Sequence, residues 1–124
     1  PPLRLIGRIH ERTIFRRLRR EGSVVRGGPL WCSVLLDPSL TQAHVAYALG
    51  RPVGAATVRN QLRRRMREIV RAEADNLSPG WYLIGADAPA VSLSFQELAT
   101  RLPELLGRAA AKNRSREGGT GGQP

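Results

Sequence analysis

The spacing of apolar residues changes several times along the chain, and each change predicts an element. Between Arg8 and Arg20 (RIHERTIFRRLRR), Ile14 and Leu18 stand four apart with Phe15 beside them. Arg12, Arg16, Arg17, Arg19 and Arg20 fill the remaining positions, so the segment reads as a short helix with one apolar side. Glu21-Gly22 is its stop signal. From Leu30 to Leu36 (LWCSVLL) the period becomes two. Leu30, Cys32, Val34 and Leu36 share one strand face, with Trp31, Ser33 and Leu35 on the other. Asp37-Pro38-Ser39 signals a turn. Ala43 to Leu49 is a second strand, with Val45, Tyr47 and Leu49 on one face. Trp81 to Gly85 is a third, opened by the turn Ser78-Pro79-Gly80, and Ser23 to Val25 adds a short edge segment.

The strongest helical pattern is Thr57 to Asp75 (TVRNQLRRRMREIVRAEAD). At 100° per residue, Val58, Leu62, Met66, Ile69 and Val70 cover an arc of about 120°. Arg59, Arg63, Arg67 and Arg71 repeat every four residues on the adjoining arc, and Asn60 and Arg64 extend it. One side suits a sheet and the next suits an anion. A last helix starts at Ser94, where Ser94-Phe95-Gln96-Glu97 has the form of a capping box. Phe95, Leu98, Leu102, Leu105 and Leu106 form its apolar face, and Pro103 predicts a kink or split. The polar, Gly-rich end (SREGGTGGQP) predicts a disordered tail. The chain thus divides into a domain over 1–108 and a tail over 109–124.

Charge sharpens this picture. The formal net charge is +10 and the sequence pI is about 11.6. Lys112 is the single lysine, so nearly all the positive charge is arginine, the residue suited to bidentate phosphate contact and stacking. Residues 1–36 and 51–71 each carry an excess of +6, while 37–50 and 72–124 are each −1. Two basic blocks on one small domain point to a polyanion, most simply nucleic acid. The 41% hydrophobic content excludes a wholly disordered chain, and the length suits one domain. The sequence has no apolar run long enough to span a membrane. A single cysteine, Cys32, excludes an internal disulfide and fits a reducing cytoplasm, the expected location.

Candidate catalytic chemistry is sparse. His10 and His44 are the only histidines, and neither stands in a metal-ligand spacing. His10-Glu11 beside Arg8 and Arg12 contains the residue types of small ribonucleases, but reads as an exposed helix start. No phosphate-binding Gly-rich loop is present. Phe15 has two readings: core, or a stacking platform for an unpaired base. The like charges spaced four apart on the 57–75 helix repel by a few tenths of a kcal/mol per pair, a cost that a bound anion removes.

The stretch Gly54-Ala55-Ala56-Thr57-Val58-Arg59-Asn60-Gln61-Leu62-Arg63-Arg64-Arg65-Met66-Arg67-Glu68 resembles the signature of the bacterial ribonuclease P protein component. Gly54, Ala56, Arg59, Asn60, Arg63, Arg64, Arg67 and Glu68 match its pattern of glycine, alanine, Arg-Asn, a basic pair and a further arginine. Phe15 followed by Gly22, and Leu93-Ser94-Phe95, extend the likeness over about residues 8–108. The resemblance implies an α+β sandwich, a single compact domain with element order α-β-β-β-α-β-α. It also implies a left-handed β-α-β crossover, the architecture of the second domain of ribosomal protein S5.

The resemblance further implies a protein subunit that binds a catalytic RNA and helps it remove the 5′ leader of precursor tRNA by hydrolysis. Mg²⁺ would be held mainly by the RNA, and the protein alone would be inactive. Arg51, Arg59, Asn60, Arg63, Arg64 and Arg67 would contact the catalytic RNA. Arg8, Phe15, Arg19, Trp31 and Ser33 would line the leader side. The partners expected are the catalytic RNA and precursor tRNA, with no membrane and no obligate protein partner.

Departures from the pattern fall on the leader side and within the motif. Arg19 and Ser33 stand where aromatics are common, and Gln61 and Pro52 where bases are frequent. Trp31 either replaces the missing aromatic surface or covers the core edge. A purely structural, ribosomal-type RNA-binding protein and a stand-alone ribonuclease using His10, Glu11 and His44 are the competing classes. The Arg59-Asn60 motif with its basic pair argues against the first, and against the second the purified protein alone is expected not to cleave precursor tRNA.

Overall fold

The computed structural model describes residues 5–122, and side chains as far as residue 116. The elements run β1 (Gly7–Arg8), α1 (Arg12–Glu21), β2 (Ser23–Gly27), β3 (Leu30–Leu36), β4 (Ala43–Ala48), α2 (Ala56–Ala72), β5 (Gly80–Ala86) and α3 (Phe95–Gly122). The sheet order is β1-β4-β5-β3-β2. β3 pairs antiparallel with both β2 and β5, whereas β4 runs parallel to β5 and β1 parallel to β4. The β4–α2–β5 segment is therefore a crossover between adjacent parallel strands, as the α+β expectation requires.

Alternation along the strands decides which helix covers which face. Leu30, Cys32 and Val34 on β3, Val45 on β4, and Tyr82 and Ile84 on β5 join one buried cluster with α2 and α3. α2 supplies Leu62, Met66, Ile69 and Val70, and α3 supplies Leu98, Leu102, Leu105 and Leu106. Each large side chain taken out of water contributes about 1.5–3 kcal/mol, so this face carries most of the stability. The other face holds a smaller cluster in which Ile14 and Leu18 of α1 meet Leu35, with Ile9, Trp81 and Leu83 packed around them. Burial pushes the Cys32 thiol pKa well up, so this cysteine behaves as a small apolar core residue.

Three expectations are corrected. The first helix starts at Arg12, not Arg8, because Gly7 and Arg8 pair with His44 and Val45 as an edge strand. The last helix is continuous through Pro103, since leucines on both sides of the proline, Leu98 and Leu102 before it and Leu105 and Leu106 after it, pack into the same core. Phe95, at its start, is instead 41% exposed.

The domain boundary at 108 is also too early. Ala109, Ala110 and Asn113 are buried and continue the α3 stripe. Asn113 Oδ1 accepts from the Leu36 backbone N–H at 2.9 Å, and its amide donates to Ser23 Oγ at 3.1 Å. The stripe passes from leucine to alanine and asparagine at this point, which lowers the apolar signal while the packing goes on. Residues 123–124 lie outside the described residues, as do the side chains of 117–122.

Candidate nucleic-acid interface

α2 begins at a backbone position that glycine favours. Gly54 has φ +149°, and a Cβ there would sit 3.2 Å from the Val58 side chain. The turn Arg51–Val53 before it is pinned by buried Val53, which holds exposed Arg51 beside the N-terminal end of α2. Arg59 is half-buried. Its Nε is shielded from solvent and finds no acceptor among the described residues. One turn on, Arg63 donates to Asn60 Oδ1 at 2.7 Å. Another turn on, the Arg67 guanidinium lies 5.9 Å from the Tyr47 ring centroid. Asn60, Arg64 and Arg67 are exposed. The structure thus gathers the motif residues on one side of α2, and their neutral partners leave the positive charge uncompensated.

On the opposite face, residues align in rows across the strands. Leu35, Trp81 and His44 form one row, Val24, Ser33, Leu83 and Ala46 the next, and Arg26, Trp31, Gly85 and Ala48 a third. α1 lies on the first two rows. Leu18 places its carbonyl 3.5 Å from Ser33 Oγ, and Ser33 is only 5% exposed. Ser33 is thus under the helix rather than on an open surface, which removes it from the leader-lining set. The third row lies beyond this seam. Trp31 is half-buried with its ring laid over Gly85, where a Cβ would stand 2.0 Å from the ring. Only glycine permits that pose, and the small Ala48 follows in the same row. Arg26 closes the row in an ion pair with Asp87.

The remaining leader candidates separate. Phe15 is half-buried on the flank of α1. Arg19 is exposed and lines an outward groove with Thr13, Arg16, Arg17 and Arg20. Arg8 does not reach the α1 face. It pairs with Val45 in register and lines a groove with Tyr47, Arg67 and Arg71 on the α2 side. Tyr47 was not among the sequence-predicted site residues, and Arg71, although on the basic arc, was not assigned to the catalytic RNA. Tyr47 alternates with Val45 and Leu49 and so reads as core, and only the two-residue edge strand reveals its open side.

Among the described residues no group of three His, Cys, Asp or Glu side chains is placed to hold a metal ion. Exposed His10 and Glu11 precede α1, while His44 packs its ring 4.8 Å from Trp81. Among the described residues no helix is long and apolar enough to cross a membrane.

The family model described as Ribonuclease P matches residues 6–110. A ribonuclease P protein component from Symbiobacterium thermophilum is 32% identical over 108 residues, covering 86% of this chain and 94% of the relative. One from Acidothermus cellulolyticus is 34% identical over 105 residues, covering 82% and 86%. The solved RNase P protein of Staphylococcus aureus superposes with a TM-score of 0.76 at 19% identity, covering 82% of this chain and 94% of that one. That of Thermotoga maritima gives 0.73 at 20% identity, covering 82% and 96%. At these identities the two structures speak for the fold.

Proposed function

Since the chain belongs to the family of ribonuclease P protein components, we propose that it binds its catalytic RNA through α2 and the 5′ leader of precursor tRNA through the opposite face. The observation that carries this reading is the α2 stripe. Arg59, Asn60, Arg63 and Arg67 lie along one side, with Arg63 and Arg67 oriented by the neutral groups of Asn60 and Tyr47. Guanidinium forks match phosphate oxygens, so this arginine stripe suits an RNA backbone. Arg51, before the N-terminal end of the helix, and Arg64, at its middle, extend the same contact.

On the other face, Trp31 over Gly85 presents an aromatic surface suited to an unpaired leader base, with Phe15 and Arg19 contributed by α1. The two surfaces stand on opposite sides of one sheet, so the protein can hold a leader while docked on an RNA. The chain's part in the chemistry is binding and positioning. As the family membership suggests, Mg²⁺ for the hydrolysis would be held mainly by the RNA, and the protein alone is expected to be inactive. The cytoplasm, where buried Cys32 stays reduced, is the proposed place of action.

Reconstitution tests this directly. Adding the protein to its catalytic RNA at low Mg²⁺ is expected to restore leader removal from precursor tRNA. Trp31→Ala is expected to weaken holoenzyme affinity for precursor about 5- to 20-fold, with affinity for mature tRNA unchanged. Equal losses for both substrates would take Trp31 out of the leader site. Robust cleavage by the protein without RNA would overturn the accessory role.

A further inference from the structure

We propose that the groove between the β1–β4 edge and the second half of α2 is a pocket for one unpaired nucleotide of the catalytic RNA. The base would lie against Tyr47 and Arg67, and its phosphate between Arg8 and Arg71. The inference rests on α2 being the catalytic-RNA face and adds to it a site for a base, where the motif residues serve the backbone.

The groove encloses about 340 Å³, within the usual range for small-ligand sites of roughly 300–1,000 Å³. Its floor is apolar, made by Ile6, Val45 and Val70. Its polar groups are Arg8, Arg67, Arg71 and the Tyr47 phenol, and among the described residues no carboxylate lines it. A phosphate chain by itself needs no apolar floor, and an apolar ligand needs no arginines. A nucleotide presents both halves.

Tyr47 has the right chemistry for the base. Burial pushes its hydroxyl pKa up to about 12 despite nearby Arg67 and Arg71, so the phenol keeps its proton and remains a donor near neutral pH. The Arg67 guanidinium already stands over its ring, which makes a paired aromatic–guanidinium edge of the kind unpaired bases stack against. The occupant follows from continuity. Arg59, Arg63, Arg67 and Arg71 recur every four residues, so the backbone track along α2 leads into the groove one turn past the motif. Arg8 reaches the same groove because β1 pairs with β4 and does not join α1.

Base-specific chemical probing of the catalytic RNA, free and bound, provides the test, read beside affinity and its salt dependence. The wild-type protein is expected to protect one unpaired base. Tyr47→Leu, which keeps apolar volume, is expected to leave that base reactive and weaken binding about 5- to 50-fold, with an unchanged salt slope. Tyr47→Phe should retain most of the protection. Should the leucine variant not fold, Arg71→Ala at an exposed position gives the same readout, with the base becoming reactive and the log–log salt slope falling by about 0.7–0.9. Unchanged affinity and protection in Tyr47→Leu, or in Arg71→Ala if only that variant folds, would overturn the pocket while leaving the α2 interface standing. A wild-type protein that does not bind the catalytic RNA would overturn both.

Discussion

α1 and α2 are both arginine-rich helices laid on opposite faces of one sheet, yet they are held differently. α2 buries Leu62, Met66, Ile69 and Val70 in the main core, whereas α1 buries only Ile14 and Leu18 over a small satellite cluster. The arginines differ too. On α1, Glu21 pairs with Arg17 at 3.6 Å and with Arg20 at 4.0 Å, which offsets part of the charge. On α2, the partners of Arg63 and Arg67 are Asn60 and Tyr47, which orient them at no cost in charge. Five arginines in the ten residues of α1 and six in the seventeen of α2 thus support two surfaces: a firmly anchored one and a lightly anchored one beside the Trp31 row.

Stability should break along that line. Met66→Ala, at a fully buried site beneath α2, is expected to lose about 2–5 kcal/mol in denaturant unfolding. In native-state hydrogen exchange, amides of α1 are expected to exchange through local opening well below the global free energy, and those of α2 only near it. Equal protection of the two helices would erase the contrast drawn from their seams. A smaller effect concerns α3. Asn113→Ala leaves the Leu36 N–H without its acceptor and is expected to cost about 1–3 kcal/mol. A neutral result would return residues past 108 to the role of a tail.

That boundary shows what was legible in the sequence. The α2 helix and its basic arc could be read because period and register are local properties of one segment. The strands from Leu30 and Ala43 could be read for the same reason. β1 could not: it is two residues long, and its only partner, β4, begins with Ala43, so nothing near Gly7 announces it. Missing β1 misplaced Arg8, and with it the open side of Tyr47. Asn113 is the converse case, a polar residue that reads as solvent-facing until its two hydrogen-bond partners on β2 and β3 are brought beside it. On the candidate site, type and spacing alone place the motif residues on one side of α2. The burial of Ser33 follows from where α1 crosses the sheet, which strand alternation does not reveal.

The mildest expected effect is at the start of α3. Ser94 Oγ accepts from the Glu97 N–H at 3.0 Å, and Glu97 accepts from the Ser94 N–H at 2.9 Å. The Ser94 N–H, and after it the Ser94 hydroxyl, hold the Glu97 carboxyl pKa below its usual value. A lowered folded-state pKa means that the contribution is present above the ordinary carboxylate pKa. It is lost as pH falls through the folded value. Ser94→Ala is expected to lower the melting temperature by about 3–6 °C at pH 7, and by less once Glu97 is protonated. A difference that does not shrink in acid would assign the whole effect to the Ser94 Oγ–Glu97 N–H bond, and no difference at any pH would remove the cap.

The contrast between the two helices is tested most directly by the salt dependence of binding to the catalytic RNA. Three proteins suffice: wild type, the α2 double variant Arg59→Ala/Arg63→Ala, and the α1 double variant Arg16→Ala/Arg19→Ala. Each lost phosphate contact flattens the log–log slope by about 0.7–0.9, so the α2 variant is expected to lose about 1.4–1.8 and the α1 variant nothing. Equal flattening by both, or none from the α2 variant, would contradict the assignment of α2 as the catalytic-RNA face.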